Sequence, residues 1–273
     1  IYPDTVETGG TKRAHVIKTH HNRVPIIEQL IAEGRVIEPL ADLYKVEVRE
    51  LAQELGVPHA LIWRHPFPGP GLGVRLLCAD GSVTSPDVQT ALDSIVEPLG
   101  LTALALPVRS VGVKADLRCY EHPVLLSGSA DWDTLLEATR RILKDVPDVN
   151  RCVWNCGSDL PNTPRAVAAT MTRERLNLLR QADHLVMSGL RRHGLYDDIW
   201  QCPTAMVPVD LNGRGQELVV IRPVLSERAM TARPVELPGA LLAELQESIC
   251  ALDGVGGLAL DLTSKPPGTI EWE

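Results

Sequence analysis

The sequence predicts an α+β protein whose larger part is two copies of a small subdomain, each with helices covering one face of a mainly antiparallel sheet. Three observations predict this. Beyond Gly81, helix-like and strand-like segments follow one another in the order helix, strand, strand, helix, strand, and then do so again. Landmarks recur at a spacing of about 100 residues, Pro107 with Pro208 and Pro123 with Pro223, a period too long for a solenoid. The chain has 273 residues with 44% hydrophobic content, enough for a sizeable core.

The elements follow in order. Residues 1–24 are polar, with Lys12, Arg13, Lys18, His20, His21 and Arg23 clustered, and read as a mobile basic segment. Pro25 opens a short helix with Ile26, Ile27, Leu30 and Ile31 on one face, stopped by Gly34. Residues 35–40 form a short strand or connector. Asp42 is placed to cap a helix whose Tyr44, Val48, Leu51 and Leu55 recur at helical spacing, ended by Gly56 and Pro58.

The first repeat is expected to hold a helix beginning at Ser85-Pro86-Asp87 and strands at 104–108 and 122–129. A helix over 132–144 and a strand over 149–155 complete it. The second has a helix over 172–192 stopped by Gly194, strands at 205–209 and 218–226, a helix over 239–252 and a strand over 256–263. Residues 157–170 serve as the linker. In the 132–144 helix, Trp132, Leu135, Leu136, Thr139, Ile142 and Leu143 form one apolar stripe, so packing explains it and no chemistry is assigned.

Charge and composition exclude some functions. The net charge of −8, from 35 acids against 27 bases, is the wrong balance for a non-specific nucleic-acid binder, although an anionic small ligand needs only a few local cations. No apolar run reaches membrane-spanning length and no signal peptide is evident, so a cytoplasmic location without membrane partners is expected. Of six cysteines only Cys152 and Cys156 are close, on one strand face; no second pair at zinc spacing exists, so buried free thiols are expected and no metal site is assigned. The first residue, Ile1, is expected to be an interior position of a processed or truncated polypeptide.

Five stretches invite chemistry. RHPFPGPGL (64–72), with three prolines and two glycines, excludes helix and sheet interior; it is a rigid linker or a stiff loop beside a ligand. IKTHHN (17–22) is a solvated loop or a lid in which Lys18, His20 and His21 meet phosphate or a purine. GVKADLRCY (112–120), if extended, puts Lys114, Asp116 and Arg118 on one face, either solvated or a contact surface for base and phosphate. LSGSAD (126–131) is a plain turn rather than a phosphate loop. SKPPGTIEWE (264–273) is stiff, cationic at Lys265 and acidic at Glu271, whose carboxylate matches the paired N–H edge of a purine-like ring; function is favoured there.

Together HPFPGPGL, LPVRSVGVKADLRCY, IWQ and LTSKPPGTIEWE, with YPDTVE and IKTHHN before them, resemble the C-terminal half of the glutamine-hydrolysing GMP synthetase family, in the larger form with a duplicated subdomain. The resemblance implies three parts. Residues 1–72 end an ATP pyrophosphatase domain of the adenine-nucleotide alpha-hydrolase-like fold, including lid and Pro/Gly loop. Residues 73–160 are a first dimerisation subdomain, and 161–273 a second one carrying a tail that binds xanthosine monophosphate (XMP).

The implied reaction belongs to a ligase of purine biosynthesis. ATP, with Mg2+, adenylates the C2 oxygen of XMP, and ammonia from a glutaminase domain or subunit displaces AMP to leave GMP. The resemblance assigns Asp116, Arg118, Gln201, Lys265 and Glu271 to XMP. It puts Pro68, Gly69, Pro70 and Gly71 beside the nucleotide and Lys18, His20 and His21 in the closing lid. The family's Ser-Gly-Gly-Val-Asp-Ser loop and its amidotransferase domain are absent and are expected before Ile1, so the chain alone is not expected to turn over. Ala115 stands where the family usually has glycine.

The repeats look complementary: the first keeps the Asp116 and Arg118 segment, the second keeps the tail. An intrachain pseudo-dimer, in place of a homodimer, with one site drawn from both copies is therefore expected. Deleting the last three residues is expected to abolish XMP use and leave the fold largely intact. The competing class is a non-catalytic nucleotide-binding or dimerisation module without an ATPase partner.

Overall fold

A computed structural model describes residues 25–37, 39–40, 43, 45–115, 117–157, 163–226 and 231–273. The chain falls into two compact units, the first within Ile1–Arg64 and the second made of His65–Glu227 and Thr231–Glu273. Lys18, His20, His21, Asp116 and the expected cap Asp42 lie outside the described residues.

In the first unit are helices α1 (Pro25–Ala32), α2 (Lys45–Glu54) and α3 (His59–Ile62). Pro25 stands first in α1, where its missing N–H costs nothing. Past the end of α1 the Gly34 N–H bonds the Ile31 carbonyl at 3.0 Å, and the Arg35 N–H bonds that of Leu30 at 2.8 Å. The Arg49 guanidinium lies 5.0 Å from the Trp63 ring centre.

The second unit is a mixed α/β assembly around one seven-stranded sheet. Its strands are β1 (Thr102–Ala105), β2 (Ser110–Lys114), β3 (Leu117–Ser127), β4 (Val149–Asn155), β6 (Thr204–Val207), β8 (Glu217–Ile221) and β11 (Val255–Asp261). The order is β1-β3-β4-β11-β8-β6, with β2 also paired to β3. Strands β3 and β4 are parallel, as are β8 and β11; β1 with β3, β4 with β11 and β6 with β8 are antiparallel. Two small ribbons flank it, β5 (Arg165–Ala166) with β7 (Val209–Asp210) and β9 (Val224–Leu225) with β10 (Arg233–Pro234).

Helices α4 (Gln89–Val96), α5 (Trp132–Asp145), α6 (Arg173–Arg192) and α7 (Gly239–Cys250) cover one sheet face. Their Leu92, Ile142, Val186 and Leu245 share a core with Val124, Leu126, Val219, Ile221, Leu258 and Leu260. The alternate strand residues, Leu125, Val153, Leu218, Val220 and Ala259, pack on the other face with Leu77, Leu106 and Trp272. A sheet covered on both sides explains why ELVVI reads as a continuous apolar run rather than an alternation.

The sequence expectations for 132–144, 149–155 and 172–192 agree with α5, β4 and α6 to within a residue. The stretch 112–120 does not. It is a tight hairpin joining β2 to β3, with Lys114 paired to Leu117 and Val113 to Arg118, so Lys114 and Arg118 do not form a row on one extended face. Ala115 takes φ +49°, a left-handed conformation that favours glycine. Strand β3 begins five residues earlier than 122 because its first half pairs with β2 and its second with β1. Pro123 sits where the β3–β4 register shifts, as a residue without an N–H must.

The six cysteines are free, but only Cys152 and Cys202 are fully buried; Cys119, Cys156 and Cys250 are half-buried and Cys78 is exposed, against the expectation that all are buried. It lies just beyond the 3-10 turn where the chain surfaces. Cys152 and Cys156 do share the helix-covered face, and burial pushes the Cys156 thiol up to about 12.

Helix α6 begins at a Thr172 cap whose Oγ1 accepts the Arg175 N–H at 3.2 Å. Thr172→Ala should cost about 1 kcal/mol in urea unfolding monitored by circular dichroism. An unchanged midpoint would show that the cap is not holding the helix.

Candidate functional site

On the sheet face away from the helices, the C-terminal segment runs against β2. The Val113 N–H donates to the Pro267 carbonyl at 2.7 Å and the Val111 N–H to that of Trp272 at 2.9 Å. Gly112 and Gly268 face each other in an antiparallel bridge. A Cβ on Gly112 would lie 3.0 Å from the Pro267 carbonyl oxygen, and one on Gly268 would lie 2.9 Å from a Thr263 methyl group. Only glycine lets the two backbones come this close.

Beneath the segment lies a buried charged core. Asp261 at the end of β11 accepts from Arg151 Nη1 at 2.9 Å and from the Trp272 indole at 3.0 Å, both on Oδ2. Its Oδ1 lies 2.8 Å from Arg222 Nη1 and accepts the Thr263 N–H at 2.9 Å. Arg151, on β4, places Nη2 within 2.8–3.0 Å of the carbonyls of Val111, Thr269 and Glu271 and of the Thr269 hydroxyl. One guanidinium thus ties β11, β2 and the tail together. Loss of water draws the Arg151 pKa down to about 10, opposed chiefly by Asp261. Trp272 is 1% exposed and lies under the Arg151 guanidinium, 5.0 Å from ring centre to Cζ.

Glu271 sits above this core. Its Oε2 accepts from Arg75 Nε at 2.9 Å, and its Oε1 accepts from Arg75 Nη2 at 3.0 Å and from Gln201 Nε2 at 3.2 Å. Arg75 ends the 3-10 turn Gly71–Arg75 that follows the Pro/Gly loop, and its guanidinium lies 5.2 Å from the Phe67 ring centre. Nη1 of Arg75 is 3.8 Å from Asp183 on α6, whose carboxyl is pushed up by burial against the pull of Arg75. His65, opening the same loop, stacks on Tyr196 with 4.1 Å between ring centres, and burial holds its pKa down.

The structure therefore brings Gln201 and Glu271 into direct contact. The Pro68–Gly71 turn closes through a Gly71 N–H to Pro68 carbonyl bond of 2.9 Å and reaches Glu271 only through Arg75. Lys265 is half-buried, and its backbone pairs with Ala232 in both directions at 2.8 and 3.1 Å. The peptide bonds Lys265-Pro266 and Pro266-Pro267 are cis. Arg118 is exposed on the hairpin that the tail packs against. Lys114 is turned away, paired with Glu121 at 2.6 Å.

Residues 188–272 match the family described as GMP synthase C terminal domain. A protein named probable GMP synthase (glutamine-hydrolyzing) from Leptospira interrogans is 43% identical over the whole chain. The chain is similar in sequence to GMP synthases along its whole length. The GMP synthase of Dictyostelium discoideum is 29% identical, again over the whole chain, whereas that of Thermobifida fusca is 37% identical over 60% of it. The chain spans 46% of the length of the Leptospira and Dictyostelium GMP synthases.

Arg75, Arg151, Asp183, Arg222 and Asp261 were not singled out from sequence. A signal existed for three of them: Arg151, Arg222 and Asp261 interrupt apolar strand runs, where a charge survives only if paired. The buried Trp272 also corrects the expectation for a three-residue deletion. Removing it strips a core aromatic and the Asp261 contact, so the fold would not stay intact.

Asp261→Asn leaves two buried guanidinium groups without their anion. It should destabilise the second unit by about 3–5 kcal/mol in denaturant unfolding, as breaking a buried pair does. A loss under about 1 kcal/mol would mean that the pair is not what holds the tail.

Proposed function

We propose that this chain is the C-terminal part of a glutamine-hydrolysing GMP synthase and carries the XMP-reading side of its synthetase site. One observation carries the reading: Glu271 of the tail meets Gln201 while the tail is bound to the β2–β3 hairpin that bears Arg118. Gln201, 70 residues away in sequence, and Arg75, 196 residues away, converge on one partly exposed carboxylate.

In this reading Glu271 accepts an N–H of the xanthine ring, Gln201 fixes the carboxylate, and Asp116, Arg118 and Lys265 meet the sugar and phosphate. Lys18, His20 and His21 belong to a lid that excludes water from the adenylate. The reaction is leaving-group activation. The C2 oxygen of XMP attacks the α-phosphorus of ATP, pyrophosphate departs, and ammonia from a glutaminase adds at C2 and expels AMP, leaving GMP. ATP and Mg2+ are assigned mainly to parts outside this chain. Among the described residues no three His, Cys, Asp or Glu side chains are grouped to hold a metal ion. No described helix is long and apolar enough to cross a membrane; a cytoplasmic enzyme, inactive as this chain alone, is part of the same reading.

The domain reading is likewise ours: the end of an ATP pyrophosphatase domain to about residue 72, then two dimerisation subdomains divided near 160. Strand topology supports the duplication. Helix α4, β1, β3, α5 and β4 follow the same course as α6, β6, β8, α7 and β11, each with one antiparallel and one parallel pairing. The halves meet edge to edge at antiparallel β4 and β11, as two protomers of a dimer would. Relatives that align over 60% of the chain, beside others that align over all of it, fit shorter and longer forms.

In the native polypeptide, Glu271→Gln should raise the KM for XMP about 10- to 100-fold with the KM for ATP unchanged, the worth of a charge-assisted hydrogen bond. Asp116→Ala should weaken XMP similarly in a protein that sediments as a monomer. Unchanged XMP kinetics for Glu271→Gln would overturn the site, and unchanged kinetics for Asp116→Ala in a monomer would overturn its sharing between halves.

A further inference from the structure

The Pro/Gly loop delivers a side chain to the site. Its turn over 68–71 leads into the 3-10 turn, and that turn ends at Arg75, whose side chain is 4% exposed. Phe67 of the same loop covers the guanidinium on one face, and Asp183 of α6 stands behind Nη1. Asp183 Oδ1 is buried and has no hydrogen-bond partner of its own. Held this way, the planar group has one orientation, and it is spent on Glu271 in a side-on, two-bond grip.

Counting acceptor positions shows what the grip does. A carboxylate offers about four lone-pair positions, two on each oxygen. Oε1 already receives Arg75 Nη2 and Gln201 Nε2, and Oε2 receives Arg75 Nε. One position remains, on Oε2, and 18% of the Glu271 side chain is exposed. A purely structural ion pair has no reason to leave its carboxylate partly open while a glutamine takes up a further lone pair. The remaining acceptor suits a ring edge with a single N–H. It does not match the paired N–H edge that the sequence suggests for Glu271.

We infer that Arg75 is the positioning residue for Glu271, holding both carboxylate oxygens so that a single acceptor on Oε2 meets one ring N–H and thereby favours substrate over product. This rests on the XMP reading above. On xanthine the N1–H is flanked by carbonyl oxygens on both sides, a lone donor. On guanine the N1–H adjoins the exocyclic amine, a pair of donors. The pair would need both carboxylate oxygens, and therefore displacement of Arg75 or Gln201. Amination at C2 thus turns a matched ring edge into a mismatched one. The Pro/Gly loop and the tail, 196 residues apart at Arg75 and Glu271, then act as one recognition element.

The test uses the native polypeptide with Arg75→Met and Arg75→Lys. Lysine keeps the charge but cannot make the parallel bonds. Both variants should raise the KM for XMP about 10- to 100-fold, as misplacement of a binding group does, with the KM for ATP unchanged. The ratio of the GMP inhibition constant to the XMP KM should fall, because freed oxygens accept two donors. Neither effect should add to that of Glu271→Gln in the double variant. A merely structural arginine would lower the melting temperature without moving that ratio. If Glu271→Gln raises the XMP KM but Arg75→Lys, folded with a native melting temperature, leaves KM and ratio alone, the inference is overturned and the XMP reading stands. If Glu271→Gln has no effect, both fall.

Discussion

The architecture of the second unit depends on one carboxylate held between two guanidinium groups where water does not reach. Asp261 meets Arg151 and Arg222 with all three side chains at 0–1% exposure. Charges so placed are tolerated only when they are paired, and further hydrogen bonds to the pair lower its cost. Arg151 spends Nη2 on the carbonyls of Val111, Thr269 and Glu271, so the C-terminal segment is itself part of the solvation shell of a buried charge. A tail used in this way is not free to fray, whatever the usual behaviour of chain ends.

From that anchor the rest follows in order. The tail is pinned to β2, which sets the β2–β3 hairpin beside it; Trp272 closes the sheet face opposite α4–α7; and Glu271 is left upright at the surface. Gln201 arrives from the segment paired with β9, and Arg75 from the turn after the Pro/Gly loop. Each group is carried by backbone fixed independently by hydrogen bonds, which is how a recognition site avoids paying ordering entropy when its ligand binds. The stiffness of HPFPGPGL and of KPPG has one common purpose in this account, to hold Arg75 and Glu271 against each other.

Much of the fold was legible because helix α5, strand β4 and helix α6 have strong periodicity and clear stop signals. Strand β3 was read too short because half of it is exposed on a hairpin, where apolar runs give no signal. The charged row at 112–120 dissolved because alternation assumes an extended chain, and Ala115 breaks that assumption with a left-handed turn that no glycine advertises. At the site, Gln201 and Glu271 were legible through resemblance and do meet. Arg75 was not, since a single arginine after a Pro/Gly loop looks like any surface cation until the fold buries it. Arg151, Arg222 and Asp261 are cases where the signal was present, a charge inside an apolar strand, and long-range pairing alone gives it meaning.

Amide hydrogen exchange tests the central claim most directly, that the buried Arg151–Asp261–Arg222 core makes the tail an integral layer of the sheet. The reporters are the N–H groups of Val111 and Val113, which donate to the Trp272 and Pro267 carbonyls. The account predicts protection comparable to that of the central strands β4 and β11. Exchange of these two amides at the rate of a free chain end, with β4 and β11 still protected, would contradict it.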